Sequence, residues 1–457
     1  ANTTFKGSEP AAGFMLTGPD VQQIVSSDRS SQKVLKPYLN NEDFSGHPLL
    51  RASRHVVDFG TMPLEEASRF QAAFRLIESR VVPAWEASDD QSQATNWWWH
   101  RRRAEPLYQR LNNVNRGFAV GYTTKHGAFA AVGPGAVFSN QVVVVCRSEW
   151  RCYAQLSSTL HAVWAWRYGS SMGSSTLRYT PSSVYETYPF LHSSGTILET
   201  LGCRHHEHRH LLMSSLWIGL TDVYNLFHSR DLENDLKAHF AARAKKDPRG
   251  LSIPSEHRER ALAFTYDQAL AGVLELRRLH VALDSAVRDA YGWQSLDLQH
   301  DFYDVETLPE NDRVRYTISP VARKEVLKRL LALNHERAKA EQAAAAPAVA
   351  KPARAKRASA AASVEEMTVF DQAFPNSSVD WETAAWMLAL VRAAPRRGIA
   401  FYMACMTAAT SPDLCEQILG QSRKQETKRL MSKAPLAKLP NGTRVPFAAA
   451  LRWASTT

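Results

Sequence analysis

The chain has 457 residues, of which 44% are apolar and 22% charged, so it can form two to four soluble domains with a sizeable core. A formal charge of +10 favours an anionic partner, and nucleic acid is the commonest one. No run approaches the roughly 20 apolar residues of a membrane span, and the N-terminus carries no secretion signal. Five scattered cysteines argue against a disulfide framework, so we expect a cytoplasmic protein that does not associate with membranes.

Residues 1–192 alternate between helix and strand signals. Gly18, Pro19 and Asp20 open a helix, and apolar residues recur at the helical period over 62–82. From Gly117 to Val145 the pattern becomes that of short strands separated by glycine-containing turns. The predicted elements are, in chain order, a helix at 19–25, strands at 35–39 and 55–59, a helix at 62–82, strands within 117–145 that include 141–145, and a helix at 156–166.

The rest of the chain is predicted to be mainly helical, with long amphipathic patterns over 258–291 and 321–340. Residues 343–362 are rich in Ala and Pro and carry several basic residues, a composition typical of a flexible basic linker. The sequence therefore predicts an α+β protein. Its predicted parts are a connector (1–30), a mixed α/β domain (31–192), a helical domain (193–340), the linker (341–364) and a small helical C-terminal domain (365–457).

A run of aromatic and basic residues, Trp97–Arg103, is the most unusual segment of the chain. Trp97, Trp98 and Trp99 offer flat stacking surfaces, and after His100 come Arg101, Arg102 and Arg103 with fixed positive charge. This combination is typical of nucleic-acid binding, because bases stack on aromatic rings and phosphates bind guanidinium groups. The alternative is a helix that buries its tryptophans and exposes its arginines to solvent.

The sequence lacks the motifs of several common enzyme classes. The sequence has no phosphate-binding loop, no dinucleotide-binding glycine motif, no serine elbow and no Asn-Pro-Pro-aromatic motif. Cys203–His210 is rich in histidine, and His206 and His210 would share one face of a helix. A second pair of ligands at a suitable spacing is missing, so we expect a solvated basic helix face here and predict no metal site.

An ordered set of short phrases resembles one known family. The phrases are Thr4–Ser8, Val34–Phe44, Trp97–Arg103, Phe138–Asn140, Ser157–Trp164, Leu177–Tyr179, Tyr185–Phe190 and Gly219–Asn225. In this order they resemble the target-recognition and C-terminal helical region of the MmeI-like adenine-specific DNA methyltransferases. These are class I enzymes that depend on S-adenosylmethionine and serve restriction–modification and phage defence. The resemblance spans about residues 2–335.

The resemblance implies that an upstream catalytic domain, absent from this chain, binds S-adenosylmethionine and receives a flipped adenine. This chain would then hold no cofactor and no catalytic residue, and it would recognise double-stranded DNA for that domain. Since it begins without Met, at what looks like the edge of a catalytic domain, we expect a fragment. The candidate DNA-binding residues are Trp97, Trp98, Trp99, His100, Arg101, Arg102, Arg103, Arg110, Arg116, Lys125 with the adjacent His126, Arg178 and Tyr179.

A second hypothesis treats the chain as a non-catalytic specificity or scaffold subunit. It would then partner a separate methyltransferase or defence-system protein. The tryptophan cluster would serve as a protein interface, because aromatic residues and arginine also anchor protein–protein contacts.

Overall fold

The computed structural model describes residues 3–86, 96–171, 176–191, 196–305, 308, 310–345, 436–438 and 444–446. The chain divides into two units, Ala1–Ala348 and Val349–Thr457. In the second unit, the described residues form one antiparallel pair of strands, Leu436–Lys438 and Arg444–Pro446. The helical prediction for 365–457 otherwise lies outside the described residues, as does the linker beyond residue 345.

The first part of unit one mixes short strands with helices, as predicted. Its elements are β1 (Thr4–Lys6), β2 (Met15–Leu16), α1 (Gly18–Ser27), β3 (Leu35–Leu39), α2 (Asn41–Gly46), β4 (Arg54–Val57), α3 (Leu64–Ala67), α4 (Gln71–Glu86), α5 (Glu105–Val114), β5 (Gly117–Gly121), β6 (Thr123–Thr124), β7 (Ala130–Val132), β8 (Val137–Phe138), β9 (Val142–Val145), α6 (Trp150–Ser157), α7 (Thr159–Tyr168), β10 (Ser170–Ser171) and β11 (Leu177–Arg178).

The second part is mainly helical and adds one strand pair that the sequence did not predict. Its elements are α8 (Thr196–Leu216), α9 (Leu220–His228), α10 (Leu232–Lys246), α11 (Ser255–Ala263), α12 (Tyr266–Ala290), β12 (Asp301–Asp304), β13 (Val314–Thr317) and α13 (Pro320–Ala345). The predicted α+β class is confirmed. Within the described residues, no helix is both long and apolar enough to cross a membrane.

A central four-stranded sheet, in the order β1-β9-β5-β7, is antiparallel throughout and buried on both faces. Successive side chains of a strand point to opposite faces. Phe118 and Val143 therefore pack on one face with α6, α7 and α13, whereas Ala119 and Val144 pack on the other with α5, α8 and α9. The sheet is thus rigidly held between two helical layers.

A second four-stranded sheet, in the order β2-β4-β3-β8, lies in the N-terminal part of the chain. It covers a separate core in which Phe14, Val56 and Phe59 meet Ile77 of α4. β3 and β8 pair in parallel, which brings Leu39 opposite Phe138. This pairing ties the N-terminal sheet to the turn that leads into β9 of the central sheet.

Several predicted helices are divided in two by capping residues. Ser158 caps α7 by accepting the backbone N–H of His161, so the helix predicted at 156–166 begins anew at Thr159. The single helix predicted over 62–82 is wrong: α3 ends at Ala67, the chain forms a turn at residues 68–70, and α4 begins at Gln71. In the region 258–291, Thr265 forms a capping box with Gln268 and starts α12.

Candidate nucleic-acid interface

Three strands of the central sheet bring polar residues together at one end. Lys6, at the end of β1, lies opposite Val143, and Gly121, at the end of β5, lies opposite Val142. The next residue, Tyr122, donates its backbone N–H to the carbonyl of Gln141 at 2.7 Å. The ends of β1 and β5 therefore meet the turn that precedes β9. This end of the sheet, with Lys6, Tyr122, Asn140, Gln141 and the neighbouring Arg178, is termed the polar end.

Two cations lie against one aromatic ring at the polar end. The Lys6 Nζ is 3.7 Å from the centre of the Tyr122 ring, and the Arg178 Cζ is 5.5 Å from it. Arg178 reaches this position because β11 pairs with β6, with Arg178 opposite Thr123. Each cation gains roughly 0.5–1 kcal/mol from such a contact near the surface. The ring therefore holds two positive charges near each other, a suitable arrangement for binding an anion.

The arginine loop, Arg101–Arg103, lies near the polar end. After β1 the chain forms bridges from Ser8 to Ser139 and from Glu9 to Arg102. Since three extended residues span about 10 Å, Arg102 lies within roughly that distance of Lys6 along the chain direction. Arg101 and Arg102 are exposed and form no ion pair with a described residue.

Nearby acidic residues partly offset the positive charge of the arginine loop. Arg103 binds Glu105 at 3.0 Å and stacks over Trp99 at 4.1 Å, whereas the exposed Glu9 adds one negative charge nearby. The loop nevertheless leaves Arg101 and Arg102 available to an incoming anion.

The tryptophans next to the arginine loop anchor it to the N-terminal core. Trp98 is 7% exposed, and the indole N–H groups of Trp98 and Trp99 both donate to the Met62 carbonyl at 2.9 Å. Trp97 packs against Phe74 at 5.2 Å. The large apolar area of an indole favours this burial. In this conformation Trp98 is removed from direct contact with a macromolecule, and the segment is a turn rather than the helix of the alternative.

His100 has a structural position as well. It is 6% exposed and its Nε2 lies 2.8 Å from the Val57 carbonyl. Burial lowers the pKa of His100, although the nearby Asp58 carboxylate acts in the opposite direction. His100 therefore fastens the arginine loop to β4.

Lys125 and His126 connect the sheet to the helical region. The Lys125 Nζ lies 3.3 Å from an Asp312 carboxylate oxygen and donates to Asn225 Oδ1 at 3.0 Å. His126 also bonds Asn225 at 3.0 Å and stacks on Tyr224. Burial lowers the pKa of His126 to about 3, so the ring is neutral at physiological pH. The charge of Lys125 is thus largely balanced within the protein.

The remaining candidates either lie away from the polar end or have a buried side chain. Arg116 precedes β5 and Tyr122 follows it, so the two are about 20 Å apart along the strand. Arg116 donates to the Ser148 carbonyl and stacks over Trp150, and Arg110 lies on α5. Tyr179 is fully buried, with its hydroxyl 3.1 Å from His161 Nε2. The Tyr179 backbone N–H does donate to the Tyr122 carbonyl at 2.7 Å, beside Arg178, but its side chain is not accessible. The structure therefore brings together the arginine loop and Arg178, and leaves out Arg110 and Arg116.

The histidine-rich helix α8 exposes Arg204 and His210 on one face, as expected, and packs its opposite face in the interior. His205 and Arg209 are 0% and 1% exposed. His206 Nε2 accepts the Ala131 backbone N–H, and Arg209 donates to the Phe129 carbonyl and to the Tyr224 hydroxyl. These bonds join α8 to the central sheet. Within the described residues, no group of three or more His, Cys, Asp or Glu residues could hold a metal ion.

A crevice of about 110 Å³ opens next to the polar end. Its wall is close-packed, because a Cβ on Gly121 would lie 2.2 Å from Asn41 Oδ1. Its lining includes several hydroxyl groups besides the apolar Phe44 and Leu220, so it suits a small polar group. The lining residues are Asn41, Phe44, Ser45, Gly121, Thr123, Thr124, Lys125, His126, Ala128, Thr176, Leu220 and Thr221.

Comparisons with known proteins gave a structural likeness but no match in sequence. No family model and no curated protein matches this sequence. Among solved structures, the chain is similar to the type IIL restriction-modification enzyme MmeI in complex with DNA. The sequence identity is 15%, the TM-score is 0.45, and the match covers 74% of this chain. This chain spans 36% of the length of that one.

Sequence reasoning missed Lys6, Tyr122, Asn140 and Gln141 as candidate site residues. They come from three segments of the chain, with Asn140 and Gln141 adjacent in one turn, and their proximity depends on the pairing of β1 and β5 with β9. These residues could have been found from their positions in the sequence. Polar residues directly precede the apolar strand Val142–Val145 and end the short strand Thr4–Lys6.

Proposed function

We propose that the polar end binds double-stranded DNA, and that this chain is the DNA-recognition part of a restriction–modification or phage-defence protein. One observation carries the proposal: Lys6, Arg101, Arg102 and Arg178 are grouped around two amide side chains at the end of a rigid sheet. Cations fix a protein on the phosphates, and polar side chains between them read base edges. The net charge of +10 acts in the same direction.

The salt dependence of DNA binding tests this proposal. The double variant Lys6→Gln, Arg102→Gln removes two phosphate contacts. The slope of log K against log salt should therefore become less negative by about 1.8. We expect affinity to fall roughly fivefold for each contact, which corresponds to about 1 kcal/mol. Fluorescence anisotropy with a labelled duplex at several salt concentrations measures both quantities.

A control variant separates local contacts from overall charge. Lys237→Gln with Lys328→Gln changes the net charge by the same amount at side chains that are 60% and 80% exposed on distant helices. It should leave the slope nearly unchanged. Equal effects of the two double variants, or tighter binding to single-stranded or RNA competitors than to duplex DNA, would contradict the assignment.

We propose further that the DNA bound here is a substrate for adenine-N6 methylation by a separate module that binds S-adenosylmethionine and extrudes the base. The ordered phrases that resemble adenine-specific methyltransferases support this. The gene sequence in frame upstream of Asn2 tests it. A coding frame with a glycine-rich methyl-donor loop and an Asn-Pro-Pro-aromatic motif supports one polypeptide, whereas a start codon directly before Ala1 supports a free-standing specificity subunit.

A further inference from the structure

The turn between β8 and β9 presents two amide side chains, Asn140 and Gln141, which we term the amide tip. Gln141 is exposed, and its Nε2 donates to Asn140 Oδ1 at 3.4 Å. The two amides thus form a pair in which Asn140 orients Gln141. The carboxamide of Gln141 keeps one N–H and its carbonyl oxygen for an external partner.

The backbone under the amide tip is held by hydrogen bonds on both sides. Ser139 is buried and donates its N–H to the Leu39 carbonyl at 3.0 Å, while its hydroxyl accepts the Gln141 N–H at 3.0 Å. The Gln141 carbonyl accepts the Tyr122 N–H at 2.7 Å. The backbone of the amide tip is therefore ordered before binding, so little backbone conformational entropy is lost when the tip binds a partner.

Cations lie on both sides of the amide tip. On one side, Tyr122 carries Lys6 and Arg178. On the other, Ser139 bridges to Ser8, and the adjacent Glu9 bridges to Arg102 of the arginine loop. A duplex whose phosphates contact both groups would place a groove over the tip.

We propose that Gln141 reads an adenine in the major groove and that Asn140 positions it. This inference rests on the proposed DNA binding at the polar end. A glutamine amide can donate to adenine N7 and accept from the N6 amino group in one planar contact. An arginine at the tip would favour guanine instead, and the nearby arginines are on the flanks, where phosphates are expected.

Gln141→Ala tests the inference, because the backbone bonds of the tip do not need the side chain. Binding is measured against a randomised duplex pool, followed by a panel in which each A·T pair of the preferred site is replaced. We expect the variant to lose discrimination at one A·T position, by roughly 5- to 150-fold, while the other positions keep their preferences. The matched control is Gln342→Ala, which removes an exposed glutamine from α13.

A modified base gives a second readout. Replacing the read adenine by 7-deazaadenine removes N7, so it should weaken binding of the unchanged protein and have little further effect on Gln141→Ala. If the protein binds no duplex DNA, the proposed function itself fails. If it binds with sequence preference and Gln141→Ala keeps every preference, or weakens all sequences uniformly, only the reading role of Gln141 is overturned.

Discussion

Tyr122 shows how a single residue can organise a charged surface. Its ring lies 3.7 Å from the Lys6 Nζ and also near Arg178. Replacing it by leucine removes the negative ring face that holds both cations. We expect Tyr122→Leu to reduce DNA affinity about two- to fivefold, which corresponds to roughly 0.5–1 kcal/mol. Tyr122→Phe keeps the ring and should bind as the unchanged protein does. Equal affinity of the leucine and phenylalanine variants in a titration would contradict the role of the ring.

At the same scale, the sequence indicated the exposed arginines of the arginine loop but left open whether its tryptophans are buried. Charge is visible in the sequence, and Arg101 and Arg102 are exposed as expected. The indoles, however, have a large apolar area, and the N-terminal core accepts them beside Phe74. Whether an aromatic run faces solvent depends on partners far away in the chain, such as Met62. Lys6 was missed for the same reason, because it reaches the polar end only through the pairing of β1 with β9.

At the scale of elements, Gly7 permits the close approach of the segment after β1 to the amide tip. A Cβ at this position would lie 2.2 Å from the Phe138 carbonyl oxygen and 2.3 Å from that of Ser139. Backbone atoms cannot yield as a flexible side chain can, so Gly7→Ala should destabilise the fold by roughly 1–3 kcal/mol and displace the tip. Urea unfolding measures the stability, and duplex binding of the folded fraction measures the displacement.

The glycine prediction has a control within the same region. A Cβ on Gly133 would meet nothing within 4 Å, and its backbone is not in the left-handed region. Gly133→Ala should therefore leave stability and DNA binding nearly unchanged. Similar losses in both alanine variants would mean that loop composition, and not the close approach at Phe138, is what matters.

Helical and strand periods predicted most elements in residues 3–345 but not where each one ends. The apolar stripe of 62–82 is real, since Ala67, Phe74 and Ile77 enter the same core, yet the chain turns between α3 and α4. The strand pair β12 and β13 was missed because each strand has only four residues, too few to establish a period of two. The period of a pattern indicates which face of an element is buried, whereas the position of its ends depends on local hydrogen bonds such as the cap that Ser158 provides.

At the scale of the whole unit Ala1–Ala348, the predicted recognition and helical domains share two cores. Phe118 and Val143 of the sheet pack with Leu283 and Val326, which lie beyond residue 192. The boundary at 192 stays a prediction about function, while the packing is continuous across it. The junction is also rich in buried basic groups, among them Arg209 and Arg277, which are 1% and 9% exposed. Neighbouring histidines must remain neutral there, because a further positive charge would be strongly disfavoured.

That requirement predicts how stability depends on pH. Burial lowers the pKa of His126, His161 and His206 to about 3 each, against about 6.5 in an unfolded chain. Between these values the unfolded chain binds protons that the folded chain excludes, so stability is highest above pH 6.5 and is lost as the pH falls. Each histidine contributes up to about 1.4 kcal/mol per pH unit in this window. Urea midpoints at pH 7.5, 6 and 5 at constant ionic strength measure the effect.

Histidines and carboxylates affect stability in different pH ranges. Hydrogen bonds from Arg80 hold the pKa of Asp20 at about 2, so its stabilising contribution is lost only as the pH falls below about 4. A loss of stability between pH 6.5 and 5 therefore reports the buried imidazoles. His206 offers a direct check, since its Nε2 must be unprotonated to accept the Ala131 N–H. A midpoint that stays constant or rises between pH 7.5 and 5 would contradict neutral histidines at the junction of sheet and helices.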